Sequence, residues 1–210
     1  MKRVMMIRAA ALLVFLVLIL TGRPVLWLLG FVLSLLVATR YGRFYCGYLC
    51  PINTVMTPLD KALKQQKRSR QAAPQWLVSG WLPWLTLILS AALALLTARA
   101  KGRPFPVLLL WLGAGALMTL RYKPEVFHNK VCPYGALQKV AGSFSKNGHQ
   151  VAPSLCQGHR ACEKACLAQA VVYDTGRGHA SVDVALCHQC GRCAQACPSK
   201  AISYQKDKAA

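Results

Sequence analysis

Acidic residues are scarce: six Asp and Glu stand against 26 Lys and Arg, which leaves a formal net charge of +20. That balance alone would suit nucleic acid, but no recognition motif accompanies it, so nucleic acid is not expected as a partner. Other chemistries lack their residues as well. No GxGxxG follows a candidate strand and no P-loop occurs, so neither a nicotinamide nor a nucleoside triphosphate site is indicated. No CxxCH is present to attach haem c, and none of the five histidines falls inside the apolar runs described next, which argues against a bis-His haem between helices.

What the chain has instead is segregated. Hydrophobic residues make up 55% of it, concentrated before Leu120, while the cysteines concentrate after Leu155. The apolar runs give four candidate spans, Val4 to Leu20, Pro24 to Thr39, Trp76 to Ala98 and Pro104 to Leu120, several near the lower limit of roughly 17 to 20 residues for crossing a hydrocarbon core. Lys2 and Arg3 before the first run resemble a signal peptide. No small-residue cleavage site follows, and retention is expected. Lys and Arg crowd the segments before span one, between spans two and three (Arg40, Arg43, Lys61, Lys64, Lys67, Arg68, Arg70) and after span four. The opposite loops hold few, so the positive-inside rule places both termini in the cytoplasm. Anionic lipid headgroups become the expected partner of the basic charge. Cytoplasmic thiols stay reduced, which makes the cysteines metal ligands rather than a disulfide framework.

Two repeats organise the chain. Thr21-Gly-Arg-Pro24 recurs as Lys101-Gly-Arg-Pro104. Each is followed by one apolar run, then Arg-Tyr (Arg40-Tyr41, Arg121-Tyr122), then Cys-Pro (Cys50-Pro51, Cys132-Pro133). A duplicated helical hairpin is expected, four transmembrane helices over residues 1–141. The tail repeats without gaps: Cys156–Tyr173 superposes on Cys187–Tyr204, pairing Cys156 with Cys187, His159 with Cys190, Cys162 with Cys193 and Cys166 with Cys197. Residues 150–210 are expected to form a small α+β, bacterial-ferredoxin-like domain with short strands at Val171-Val172 and Ala201-Ile202, joined through a linker at 142–149.

Cys187-x2-Cys190-x2-Cys193-x3-Cys197-Pro198 is the bacterial cluster-binding run, in which three close thiolates wrap one cluster and the fourth reaches the cluster of the other repeat. Structural zinc prefers two CxxC pairs in a tetrahedron and is the weaker reading. Cross-ligation gives one [4Fe-4S] cluster held by Cys187, Cys190, Cys193 and Cys166. The other is held by Cys156, Cys162 and Cys197, with His159 either a fourth ligand or a solvated bystander, as a His-ligated four-iron or a three-iron cluster. Imidazole in place of thiolate removes negative charge and raises the reduction potential. A tail of this size lacks a sufficient apolar core without such staples. A further metal site is a candidate at the Cys-Pro elements. Cys46 and Cys50, at i and i+4, would share a helix face that Pro51 ends, and Cys132 with His128 match them in the second copy. Buried cysteine as a plain small hydrophobe is the competing reading.

Four spans, paired Cys-Pro elements after spans two and four, and a two-cluster tail together resemble the NapH/NosR family of ferredoxin-type membrane proteins. The resemblance implies a multi-pass protein of a bacterial-type inner membrane, passing electrons between the quinone pool and a respiratory reductase pathway as a subunit of a quinol dehydrogenase complex. It also admits a second role, redox or metal handling in the maturation of a respiratory metalloenzyme. His128, His159 and Leu167 depart from the family pattern.

Overall fold

Helix boundaries follow the prolines more closely than the apolar runs. The computed structural model describes residues 2–67, 70–102 and 105–206. Helix α1 (Lys2–Leu20) and α2 (Pro24–Tyr41) match the first two expected spans. Helix α3 (Phe44–Tyr48) is a single turn. Helix α4 (Pro51–Gln65) starts on a proline, where the missing N–H costs nothing because the first-turn donors are unpaired in any helix. The expectation that Pro51 ends a helix is therefore reversed. Cys50 is the N-cap of α4 in extended backbone and does not share a helix with Cys46, so the i, i+4 argument for a common face fails.

The third expected span also shifts. Trp76 belongs to a short helix, α5 (Gln75–Val78), and the long helix α6 (Leu82–Lys101) begins only at Leu82, with Pro83 in its first turn. Proline is tolerated there and not in a helix interior. The fourth, α7 (Val107–Arg121), has 15 residues, about 22 Å at 1.5 Å per residue, short of the roughly 30 Å hydrocarbon core. Its expected start at Pro104, like Arg68 and Arg103, lies outside the described residues. Three helices, at Arg3–Leu20, Pro24–Tyr41 and Leu82–Ala100, are long and apolar enough to cross a membrane. Large side chains on all three, Leu20, Leu36 and Leu96 among them, are exposed, as lipid-facing surface must be.

The chain forms two compact units, and they do not divide at 142–149. One is built from Met5–Leu29 and Leu49–Leu137. Within it α4 lies against α7, and a Cβ on Gly115 would meet Ile52 Cγ2 at 2.8 Å, so the small residue sets their closest approach. Gly113, two residues before it, has nothing within 4 Å of such a Cβ. The buried Asp60 carboxylate accepts from Lys64 at 3.0 Å and from Arg70. Helices α8 (Pro124–Lys130) and α9 (Pro133–Ser143) follow α7.

The other unit combines Gly30–Tyr48 with the chain from Gln138 onward and the first few residues. Strand β1 (Asn147–Val151) pairs antiparallel with β4 (Ile202–Lys206), and β2 (Val171–Asp174) pairs antiparallel with β3 (His179–Val182). Strands at Val171 and Ile202 agree with the sequence reading. Asn147–His149, read there as linker, are instead part of β1, with His149 opposite Tyr204 in register. Helix α10 (Ala161–Ala165) and α11 (Arg192–Ala196) each carry the third cysteine of a run and end just before the fourth. The core of the tail is thin: Cys162, Val171, Ala180, Cys193 and Ile202 form its main buried cluster, with Cys156, Cys166 and Cys197 packed on it. Five of the twelve residues that form this core or pack on it are cysteines.

Candidate iron-sulfur centres

The duplication seen in the sequence is a duplication of backbone shape. Left-handed conformation occurs at Gly158, Arg160 and Gln169 in the first copy and at Gln189, Gly191 and Lys200 in the second. These are the same three offsets from the leading cysteine. In each copy the turn carries the first two ligand positions, and the one-turn helix that follows carries the third and ends at the fourth, Cys166 or Cys197, in extended backbone. The fourth sulfurs are received alike: the Ala170 N–H donates to Cys166 Sγ at 3.3 Å and the Ala201 N–H to Cys197 Sγ at 3.4 Å. Backbone donors aimed at sulfur stabilise the thiolate and are one of the levers that set a cluster's potential.

The thiols fall into two electrostatic neighbourhoods. Burial pushes Cys187 up to about 12, against a backbone N–H at Gln189, and Cys190, Cys193 and Cys166 push it further. Burial likewise raises Cys193 to about 11, with Cys190 and Cys166 adding to it. For Cys162 burial again leads, and its neighbours are Cys197 and Cys156. Cys166 therefore belongs with the second copy's three cysteines, and Cys197 with the first copy's two, as cross-ligation requires. Burial acts to raise Cys197 also, but the Ser199 side chain, at 3.4 Å, and backbone donors from Ala201, Ser199 and Lys200 outweigh it and hold the thiol below its ordinary value. Cys156, His159, Cys162 and Cys197 line one small cavity. His159 is exposed at its rim, placed for ligation but not committed to it. With two sets of soft donors, converging thiols and N–H groups turned toward sulfur, the tail fits a pair of iron-sulfur clusters.

If His159 is the fourth ligand, His159→Cys is expected to lower the midpoint potential of the first-copy cluster by on the order of 100 mV, since thiolate donates more charge than imidazole. A redox titration followed by electron paramagnetic resonance reads this directly. An unmoved midpoint would assign His159 to solvent.

The second-copy loop is pressed against α3. Tyr48 Oη donates to the Gln189 carbonyl at 3.0 Å, and a Cβ on Gly47 would lie 1.9 Å from the His188 carbonyl oxygen. His188 and Gln189 are both buried. Nearby, Asn147 Nδ2 and Ser145 Oγ donate to the Arg40 carbonyl at 2.8 and 3.0 Å, tying β1 to the end of α2. Sequence reasoning missed Gly47, Gln189 and Asn147 because no motif marks them.

The juxtamembrane constellation is less developed. Cys46 lies in the unit that contains the tail, whereas Cys50, His128 and Cys132 lie in the other, and all four are buried. Among the described residues, no three His, Cys, Asp or Glu side chains are grouped to hold a single metal ion. Cys50 and Cys132 do share a neighbour, Tyr134, whose phenol is pushed up by burial first and then by these two thiols.

Comparison with known proteins agrees with this division. The family described as "4Fe-4S binding domain" matches twice, at residues 24–70 and 104–148, one match on each copy of the first repeat. The family described as "4Fe-4S dicluster domain" matches residues 155–202. The chain thus carries ferredoxin-type 4Fe-4S domains that support two iron-sulfur clusters, together with helices long and apolar enough to cross a membrane. Among curated proteins it is similar to an uncharacterized protein of Methanocaldococcus jannaschii, 25% identical over 178 residues that cover 82% of this chain and 68% of the relative. No solved structure matches it.

Proposed function

We propose that this protein is a membrane-bound electron carrier of the NapH/NosR type, passing electrons between a membrane quinol and a respiratory partner protein, with both termini in the cytoplasm. One observation carries the reading: the loop that supplies Cys187 and Cys190 is seated on α3, directly after the apolar helix α2. A cluster there lies at the membrane surface, within reach of a lipid-phase donor. When bound, the clusters supply one-electron chemistry. The chain's own residues place them, exclude water from the second-copy loop through buried His188 and Gln189, and offer basic side chains such as Lys164 and Lys200 to an acidic partner.

The test is anaerobic addition of a short-chain quinol to membranes containing the intact protein. Cluster signals in electron paramagnetic resonance are expected to change to the reduced form within the time of mixing. Fully loaded clusters that stay oxidised in the presence of quinol would overturn the reading. Metal handling by Cys46, Cys50, His128 and Cys132 is the second reading, favoured by the common neighbourhood of Cys50 and Cys132 at Tyr134. Stoichiometric copper lost on replacing both cysteines would select it.

A further inference from the structure

A pocket of about 540 Å3 opens beside the second-copy cluster loop, within the same compact unit. Cys190 is on its wall. Its size falls within the range of small-molecule sites, roughly 300 to 1,000 Å3. Its sides are aromatic: Phe44 and Tyr48 stack on each other at 4.5 Å with 20° between their planes, and Tyr204 stands edge-on to His149 at 5.4 Å. Val4 from α1 and Val37 from α2 also line it, so the opening lies against two apolar helices.

Two features narrow the ligand. First, among the described residues the lining contains no Lys or Arg, in a chain with 26 of them. A nucleotide or flavin phosphate would find no counter-charge among those residues. Second, two lining side chains are more than nine-tenths buried and each leaves a polar atom without a hydrogen-bond partner, His149 Nδ1 (residue 8% exposed) and Gln189 Oε1 (residue 6% exposed). Both atoms are closed to water as the side chains stand, and because an orphaned buried polar atom costs free energy, a turn of either side chain toward a hydroxyl in the pocket is favoured. The occupant is therefore a flat, uncharged ring that stacks on aromatic faces, reaches the protein from the apolar phase and carries hydroxyl or carbonyl groups.

We propose that this pocket binds the head group of a quinol, with Phe44, Tyr48 and Tyr204 packing on the ring and His149 and Gln189 receiving its hydroxyls. The assignment rests on the electron-transfer reading above and gives that reading its entry point. Oxidation of the quinol to the quinone releases two electrons and two protons. The electrons are accepted one at a time by the iron-sulfur cluster that Cys190 ligates, and the protons pass to cytoplasmic water.

The test uses the full-length, cluster-loaded protein in lipid nanodiscs and an azidobenzoquinone with a short isoprenoid tail. After illumination, label is expected on peptides that contain Tyr41–Tyr48 or Tyr204, and excess unlabelled quinol should suppress it. Val37→Trp fills the mouth without touching a cluster ligand and should reduce labelling at least tenfold with cluster spectra unchanged. His149→Leu should do the same by removing a polar partner, and if one variant fails to load clusters the other decides. Label on the separate apolar cavity lined by Phe15, Trp27 and Phe105, or labelling indifferent to both variants, would overturn the site while quinol-driven cluster reduction still stood. Absence of both labelling and reduction would overturn the site and the wider reading together.

Discussion

Gly47→Ala is expected to separate the cluster-bearing tail from α3 and to cost the protein its second-copy cluster. A methyl group there would sit 1.9 Å from the His188 carbonyl oxygen and 3.1 Å from the carbonyl carbon, and these are backbone atoms, not the end of a side chain that can swing away. Neither side can yield easily. The loop is held by the Tyr48 hydroxyl on the Gln189 carbonyl, and β1 is held by Asn147 on the Arg40 carbonyl. Overpacking of this kind costs about 3 kcal/mol or more. Purified Gly47→Ala should lose much of its visible cluster absorbance in air within minutes and become sensitive to protease between residues 144 and 151. Gly113→Ala, where a Cβ meets nothing within 4 Å, should behave as wild type. A Gly47→Ala protein with full, air-stable clusters and an intact 144–151 segment would mean that the loop does not dock on α3.

The second large effect concerns which cysteine serves which cluster. Cys166→Ala changes the first copy but should abolish the cluster of Cys187, Cys190 and Cys193. Cys197→Ala changes the second copy and should abolish the cluster near Cys156 and Cys162. The reason is the grouping of thiols: Cys166 acts on Cys187 and Cys193, and Cys197 acts on Cys162. Each variant should keep roughly half the iron, because each cluster takes its fourth thiolate from the opposite run. Their resonance spectra should be complementary, each retaining the signal that the other lacks. If Cys166→Ala instead removed the first-copy signal, the copies would bind independently.

Much of this was legible in the residues, and the parts that were not have physical explanations. Ligand spacing survives into structure because three thiolates two residues apart can meet one cluster only by a tight turn, and the turn recurs wherever the spacing does. Apolar runs likewise announced α1 and α2. Strand β1 gave no warning: Asn-Gly-His-Gln-Val has no alternation of apolar and polar residues, and it is a strand because β4 pairs with it, a contact distant in sequence. The start of α4 at Pro51 escapes the sequence pattern for a different reason. The i, i+4 spacing of Cys46 and Cys50 shares a face only on a continuous helix, whereas proline's preference for the first helical position makes Cys50 a cap. The seat of the second-copy loop on Gly47 depends on the absence of a side chain, and an absence carries no pattern.

The matched left-handed positions of the two copies bear on how such a protein changes over generations. At each of the three offsets the residue types differ, Gly158 against Gln189, Arg160 against Gly191, Gln169 against Lys200, while the dihedral sense is kept. Main-chain form has been inherited and side-chain identity has drifted. A lineage can therefore exchange a donor atom, as at His159, and retune one redox centre without redesigning the scaffold that carries its twin.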